Sequence, residues 1–97
     1  MKAFRWNSEK NEALTATRGL SFESVVVAIE SGGLLDIVEH PNKARYSKQR
    51  VLVVAIGSYA YLVPFVDEED HYFLKTVIPS RKATRHYLHR GEPDVQT

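Results

Sequence analysis

A small α+β domain is what this sequence predicts: an antiparallel β-meander with two helices before it and one short helix after it. Two patterns carry that expectation. Residues 51–56 and 59–66 are nearly continuous β-branched and aromatic runs, joined by Gly57-Ser58 as a two-residue hairpin turn. Helical spacing shows mainly ahead of them, where Phe22, Val25, Val26 and Ile29 follow the i, i+3, i+4, i+7 pattern. Strands grouped apart from helices argue α+β rather than α/β. At 97 residues the chain is expected to be a single domain over 1–97.

Each element follows from local signals. Phe4-Arg5-Trp6 reads as a short strand. Asn7 can cap a helix over 8–18, and Gly19 stops it. Only Ala13, Leu14 and Ala16 give that helix an apolar side, so it should lie on the surface. Ser21 caps a second helix over 22–31, ended by Gly32-Gly33. Residues 34–39 read as a strand and 40–49, HPNKARYSKQ, as a polar loop. Residues 50–56 and 59–66 form the hairpin. Pro64 has no N–H for a ladder, so its end of the strand is expected at an edge or a bulge. Asp67 to Asp70 make the next loop, and 71–78 the last strand. Pro79-Ser80 opens a helix over 81–89, Gly91 ends it, and 92–97 reads as a loose tail. The order is β-α-α-β-β-β-β-α. The continuous apolar strands predict burial on both faces, by helices or by a partner.

Composition excludes several classes. With 43% hydrophobic and 26% charged residues, the chain is neither disordered nor fibrous. The absence of cysteine removes disulfide frameworks, thiol nucleophiles and Cys-ligated metals. The longest apolar stretch, 51–56, is far short of a membrane span, and MKAFRWNSEK lacks a signal peptide's apolar run. A cytoplasmic protein with no membrane attachment is the expectation.

Net charge is only +1, but the charges are sorted along the chain. Residues 40–66 carry Lys43, Arg45, Lys48 and Arg50 with no acid. Residues 67–70 are four acids in a row. Residues 71–90 carry Lys75, Arg81, Lys82, Arg85 and Arg90 with three histidines and again no acid. Two acid-free basic blocks in a near-neutral chain point to a local anion site, the plain alternative being a solvated charged face. The last helix sharpens the point. Helix N-termini favour acids, yet Arg81 and Lys82 occupy the first turn and Arg85 the next. A bound phosphate would resolve that conflict; so would ion pairs with Asp67 to Asp70 or Glu92. Arg81 and Arg85 share one helix face, Lys82, His86 and His89 another, and Ala83, Tyr87 and Leu88 turn inward.

Three short strings then fall into a familiar order: Phe4-x-Trp6-Asn7-x-x-Lys10, Arg18-Gly19-Leu20-Ser21-Phe22-Glu23, and Thr76-Val77-Ile78-Pro79-Ser80-Arg81-Lys82-Ala83-Thr84. The chain resembles the BrnT family, toxins of type II toxin–antitoxin systems related to RelE-type ribonucleases. The resemblance implies a small RelE/BrnT-like α+β fold and metal-independent RNA cleavage, with no cofactor. It also implies a cognate antitoxin as partner, in a toxin–antitoxin hetero-oligomer or beside a homo-oligomer. By position, Arg81 and Lys82 match the family's paired bases. The family's Gly-Glu-x-Arg stretch is replaced by His40-Pro41-Asn42-Lys43-Ala44-Arg45-Tyr46. Arg45 can stand for the arginine, but the glutamate has no counterpart, and the general base stays unassigned.

Cleavage without metal needs a base for the 2′-OH, an acid for the leaving 5′-oxygen and positive charge around the phosphorus. Arg81 and Arg85 suit a phosphate clamp, assisted by Lys82 or Lys75. His86 and His40 are the proton-transfer candidates. Lys43, Arg45 and Tyr46 can supply further RNA contacts or a stacking surface. A zinc site on His86-x-x-His89 with His40 or His71 is the weaker reading of the histidines, because the helix carries no carboxylate. Most aromatics on the strands, Phe65 among them, read as core. Two alternatives to an enzyme remain: a non-catalytic RNA- or ribosome-binding module, and an interaction protein.

Overall fold

The first helix begins where the sequence says it should. In the computed structural model, which describes residues 2–89, the Asn7 side chain accepts from the Lys10 N–H at 2.9 Å and starts α1, Ser8–Arg18. Gly19, at φ 69°, ends it in the left-handed conformation. Ser21 caps α2, Phe22–Ala28, by accepting from the Ser24 N–H. Asn11 ties the two helices together: its amide oxygen accepts from the Phe22 N–H and its amide nitrogen donates to Glu23, each at 2.7 Å. The expected helix to residue 31 is shorter. After Ala28 the chain opens into a wide, π-type turn, Ile29–Gly33, where Gly32 at φ 93° breaks the helical path.

Strands β1 (Ala3–Trp6), β2 (Leu34–Glu39), β3 (Gln49–Ile56), β4 (Tyr59–Asp67), β5 (His71–Leu74) and β6 (Ile78–Pro79) make one sheet in the order β1-β5-β4-β3-β2, with β6 also on β4. From β2 to β5 it is the expected antiparallel meander. The α+β class and the helix–strand order therefore hold. One correction is at the edge, where β1 joins β5 in parallel, Phe4 opposite Tyr72. Another is the last strand, which does not run unbroken from 71 to 78. It leaves the sheet over 75–77 and returns as β6 opposite Tyr61 and Leu62.

That break explains Pro64. The residue lies in β4 opposite Val51, well inside the sheet rather than at an edge. Its carbonyl accepts from the Lys75 N–H at 2.8 Å, so its nitrogen faces the same side, the gap between β5 and β6. No ladder bond is lost there, and the irregularity expected of a proline is borne by the neighbouring strand.

The sheet is covered on both faces, as its apolar strands require. On one face Leu52, Val54, Val63, Phe65 and Leu74 pack with Leu14, Phe22 and Val25 of the two N-terminal helices. On the other, Val53 and Ala60 pack with Ala83 of α3, Arg81–Ala83, which continues as a π-type turn, Thr84–Leu88. Phe65 is core, as read, with Val63 in the same cluster, and Tyr61 and Tyr72 pack against it. No helix among the described residues is long and apolar enough to cross a membrane. The expected helix end at Gly91 and the tail at 92–97 lie outside the described residues.

Candidate anion-binding site beside the last helix

The last helix is fixed to the sheet by a short set of bonds. Ser80 caps it, accepting from the Ala83 N–H at 3.0 Å. The Ser80 N–H donates to the Ala60 carbonyl at 3.0 Å, and the Ala60 N–H donates to the Thr84 hydroxyl at 2.8 Å. Thr84 in turn donates to the Ser80 carbonyl at 2.8 Å. Both backbone groups of Ala60 are thus satisfied by this segment, the carbonyl by the extended cap residue Ser80 and the N–H by Thr84. Sequence reasoning missed Thr84. Its signal was a hydroxyl one turn after the Ser80 cap, placed to bond back to the carbonyl four residues earlier.

This docking sorts the side chains as the helical spacing predicted. Ala83 and Thr84 are buried and Tyr87 and Leu88 half-buried, while Arg81, Lys82, Arg85, His86 and His89 are exposed. Tyr87 reaches across the sheet and donates to Asp36 of β2 at 2.7 Å. That bond, with the Ile37 N–H and the nearby His86, holds the Asp36 carboxyl below its ordinary pKa. The His86 ring stands edge-on to Tyr87 at 4.6 Å.

Between the helix and the sheet lies a pocket of about 310 Å³. Val38, Val53 and Leu62 form its floor, Ser80 and Ala83 one wall, and Lys82, His86 and Tyr87 its rim. The register explains the floor. Val53 faces Leu62 across the β3–β4 ladder, and Val38 lies two residues along β2 from Asp36, the partner of Val53, opposite Val51 and so on the same face.

The acidic run does not neutralise this helix. Asp67 pairs with Lys2 and with Arg50, the latter at 2.9 Å, and Asp70 pairs with His71 at 2.7 Å. Lys2 and Arg50 depress the Asp67 pKa, chiefly through the Lys2 hydrogen bond. Among the described residues Arg81, Lys82 and Arg85 make no ion pair.

The other sequence-derived residues form separate groups. His40 sits just past β2, stacks on Tyr46 at 4.5 Å, and accepts from the Asn42 N–H at its Nδ1. In the neutral ring that bond selects the tautomer with the proton on Nε2. Arg45 lies over the same Tyr46 ring at 5.5 Å. Lys43 pairs with Glu39 at 3.0 Å, both exposed. Lys75 lies over Phe73 at 5.5 Å. So Lys82 and His86 share the pocket, Arg81 and Arg85 are exposed on the same segment but outside its lining, and His40, Arg45 and Tyr46 make a second cluster with bonds confined to their own loop. The described residues hold no convergence of three or more His, Asp or Glu side chains.

Chemically, the helix offers cations and one imidazole beside an apolar cavity. The α-helical part is three residues long and its cap occupies the Ala83 amide, so the side chains rather than the helix terminus supply the positive field. Compared with known proteins, the chain matches no family model, no curated protein and no solved structure.

Proposed function

We propose that this chain acts on RNA, as a metal-independent endoribonuclease and the toxin of a type II toxin–antitoxin pair. The observation that carries the reading is the set of exposed cations on one short helix, without ion pairs among the described residues, beside a pocket that holds His86. The resemblance of both ends of the chain to BrnT toxins supports the same assignment. In this reading Arg81, Arg85 and Lys82 hold the scissile phosphate and stabilise the charge that builds on it. The 2′-oxygen attacks phosphorus as its proton passes to a base. The bond to the 5′-oxygen breaks as that oxygen receives a proton, leaving a 2′,3′-cyclic phosphate and a free 5′-OH. His86 is the proton-transfer group at the pocket, and the His40 loop contributes RNA contacts. The basic surface fits RNA in the cytoplasm, with a small antitoxin as the second partner.

One observation favours a non-catalytic RNA-binding module instead. Cleavage needs an acid and a base, and His86 is the one imidazole lining the pocket. Asp36 is engaged by Tyr87, and His40 belongs to another loop.

Induced expression of the wild type beside Arg81→Ala separates the readings. Growth arrest with new cyclic-phosphate RNA ends in the wild type, relieved by Arg81→Ala, is the expected result. Salt-sensitive RNA binding with intact RNA selects the binding module. A harmless protein without RNA affinity sets both aside.

A further inference from the structure

We propose that the pocket under the last helix receives a nucleobase, and that Lys82 at its rim meets the phosphate attached to that nucleoside. The proposal rests on the RNA reading above and adds what the pocket itself is for.

Depressions on the described surface differ in chemistry, as three of them show. The one of about 700 Å³ lies beside α2 and the Gly57 turn, with Glu23 as its charged group. The one of about 520 Å³ lies between β1 and the end of α2, and combines Lys2 with Glu30. Lys2 is already committed to Asp67 there and donates to the Glu68 carbonyl. The pocket of about 310 Å³ is smaller than these two, but its rim carries Lys82 and His86 and its lining includes no carboxylate.

The shape of the lining argues for a flat, largely apolar ring joined to an anion. The floor of Val38, Val53 and Leu62 supplies no hydrogen-bonding side chain. Two rings, His86 and Tyr87, stand at one side and are set nearly perpendicular, at 88°. An incoming ring can therefore lie against the exposed His86 ring. The volume falls at the small end of ligand cavities and has room for a base. A charge at the mouth of an apolar cavity fits a nucleotide, with its ring inside and its phosphate at the rim. The Tyr87 hydroxyl donates to Asp36 and the Ser80 oxygen already accepts from the Ala83 N–H. Base-edge readout is correspondingly poor, and the pocket accepts different bases with little discrimination.

The test compares two single-stranded 2′-O-methyl hexamers, which cannot be cleaved. One carries bases and the other is abasic with the same number of phosphates. Affinity is read by fluorescence anisotropy at low salt. The wild type is expected to bind the base-carrying oligomer about tenfold more tightly, the size of one base-stacking contact. Val38→Trp, which fills the floor from a half-buried position, is expected to remove that ratio while leaving abasic affinity unchanged. Lys82→Gln is expected to weaken both oligomers alike and keep the ratio. Equal binding of both oligomers by the wild type overturns the base pocket and leaves RNA binding standing, and this arm needs no variant to fold. Failure of both oligomers to bind overturns the RNA reading and the pocket with it.

Discussion

Thr84 joins the last helix to the sheet through a single hydroxyl. It is 4% exposed, accepts from the Ala60 N–H and donates to the Ser80 carbonyl. Thr84→Val keeps the shape and removes the oxygen, which leaves the Ala60 N–H buried without a partner. The expected loss is about 1–3 kcal/mol of unfolding free energy by urea titration, with Thr84→Ser retaining most of it. Asp67 supports the opposite end of the sheet through Lys2 and Arg50. Its pKa is lowered in the folded state, so its contribution is present above the unfolded value of about 3.9 and fades as pH falls through the lower folded value. Asp67→Asn should therefore narrow the difference in urea midpoint between pH 7 and pH 3. An acid limb persists, because Asp36, Asp70 and Glu23 are lowered too.

Elements set by neighbours in the chain were legible in the sequence. Asn7 and Ser21 announced their helices because a cap is a contact over three residues, and Gly57-Ser58 announced its hairpin for the same reason. Elements set by distant partners were not. Nothing in Ala3–Trp6 says that its neighbour is His71–Leu74, or that the pairing is parallel. Nor does the run 71–78 disclose where the sheet releases it, although Pro64 marks the place on the facing strand. The site divides in the same way. That Lys82 and His86 share a helix face follows from their spacing of four, whereas Val38 as their floor depends on the register of β2 against β3. Gly33 shows how tightly such an element junction is drawn. A Cβ there would stand 2.6 Å from the Ala55 carbonyl oxygen and 2.8 Å from that of Ala28, both backbone atoms. At Gly19 a Cβ would meet nothing within 4 Å, and the cost is the left-handed backbone alone, about 1–2 kcal/mol. Gly33→Ala should lower the thermal midpoint more than Gly19→Ala, since the clash requires β3 to move away from the wide turn.

At the scale of the whole molecule, a net charge of +1 cannot by itself draw the chain to a polyanion, so any salt-dependent RNA affinity has to come from where the charges sit. The fold separates its cations. Lys10 and Arg18 lie on α1, whose Leu14 packs on one face of the sheet, and Arg81 and Lys82 lie on the helix whose Ala83 packs on the other. Two double variants exploit that separation, because each removes the same two charges. Lys10→Gln with Arg18→Gln should leave both RNA affinity and its salt dependence near the wild-type values. Arg81→Gln with Lys82→Gln should weaken binding and reduce the slope of log affinity against log salt by about 1.4, the loss expected for two single-strand phosphate contacts. Equal effects from the two pairs would mean that the protein answers to its overall charge, and the site beside the last helix would lose its claim. A change confined to the second pair ties the affinity to the face of the sheet where the pocket opens.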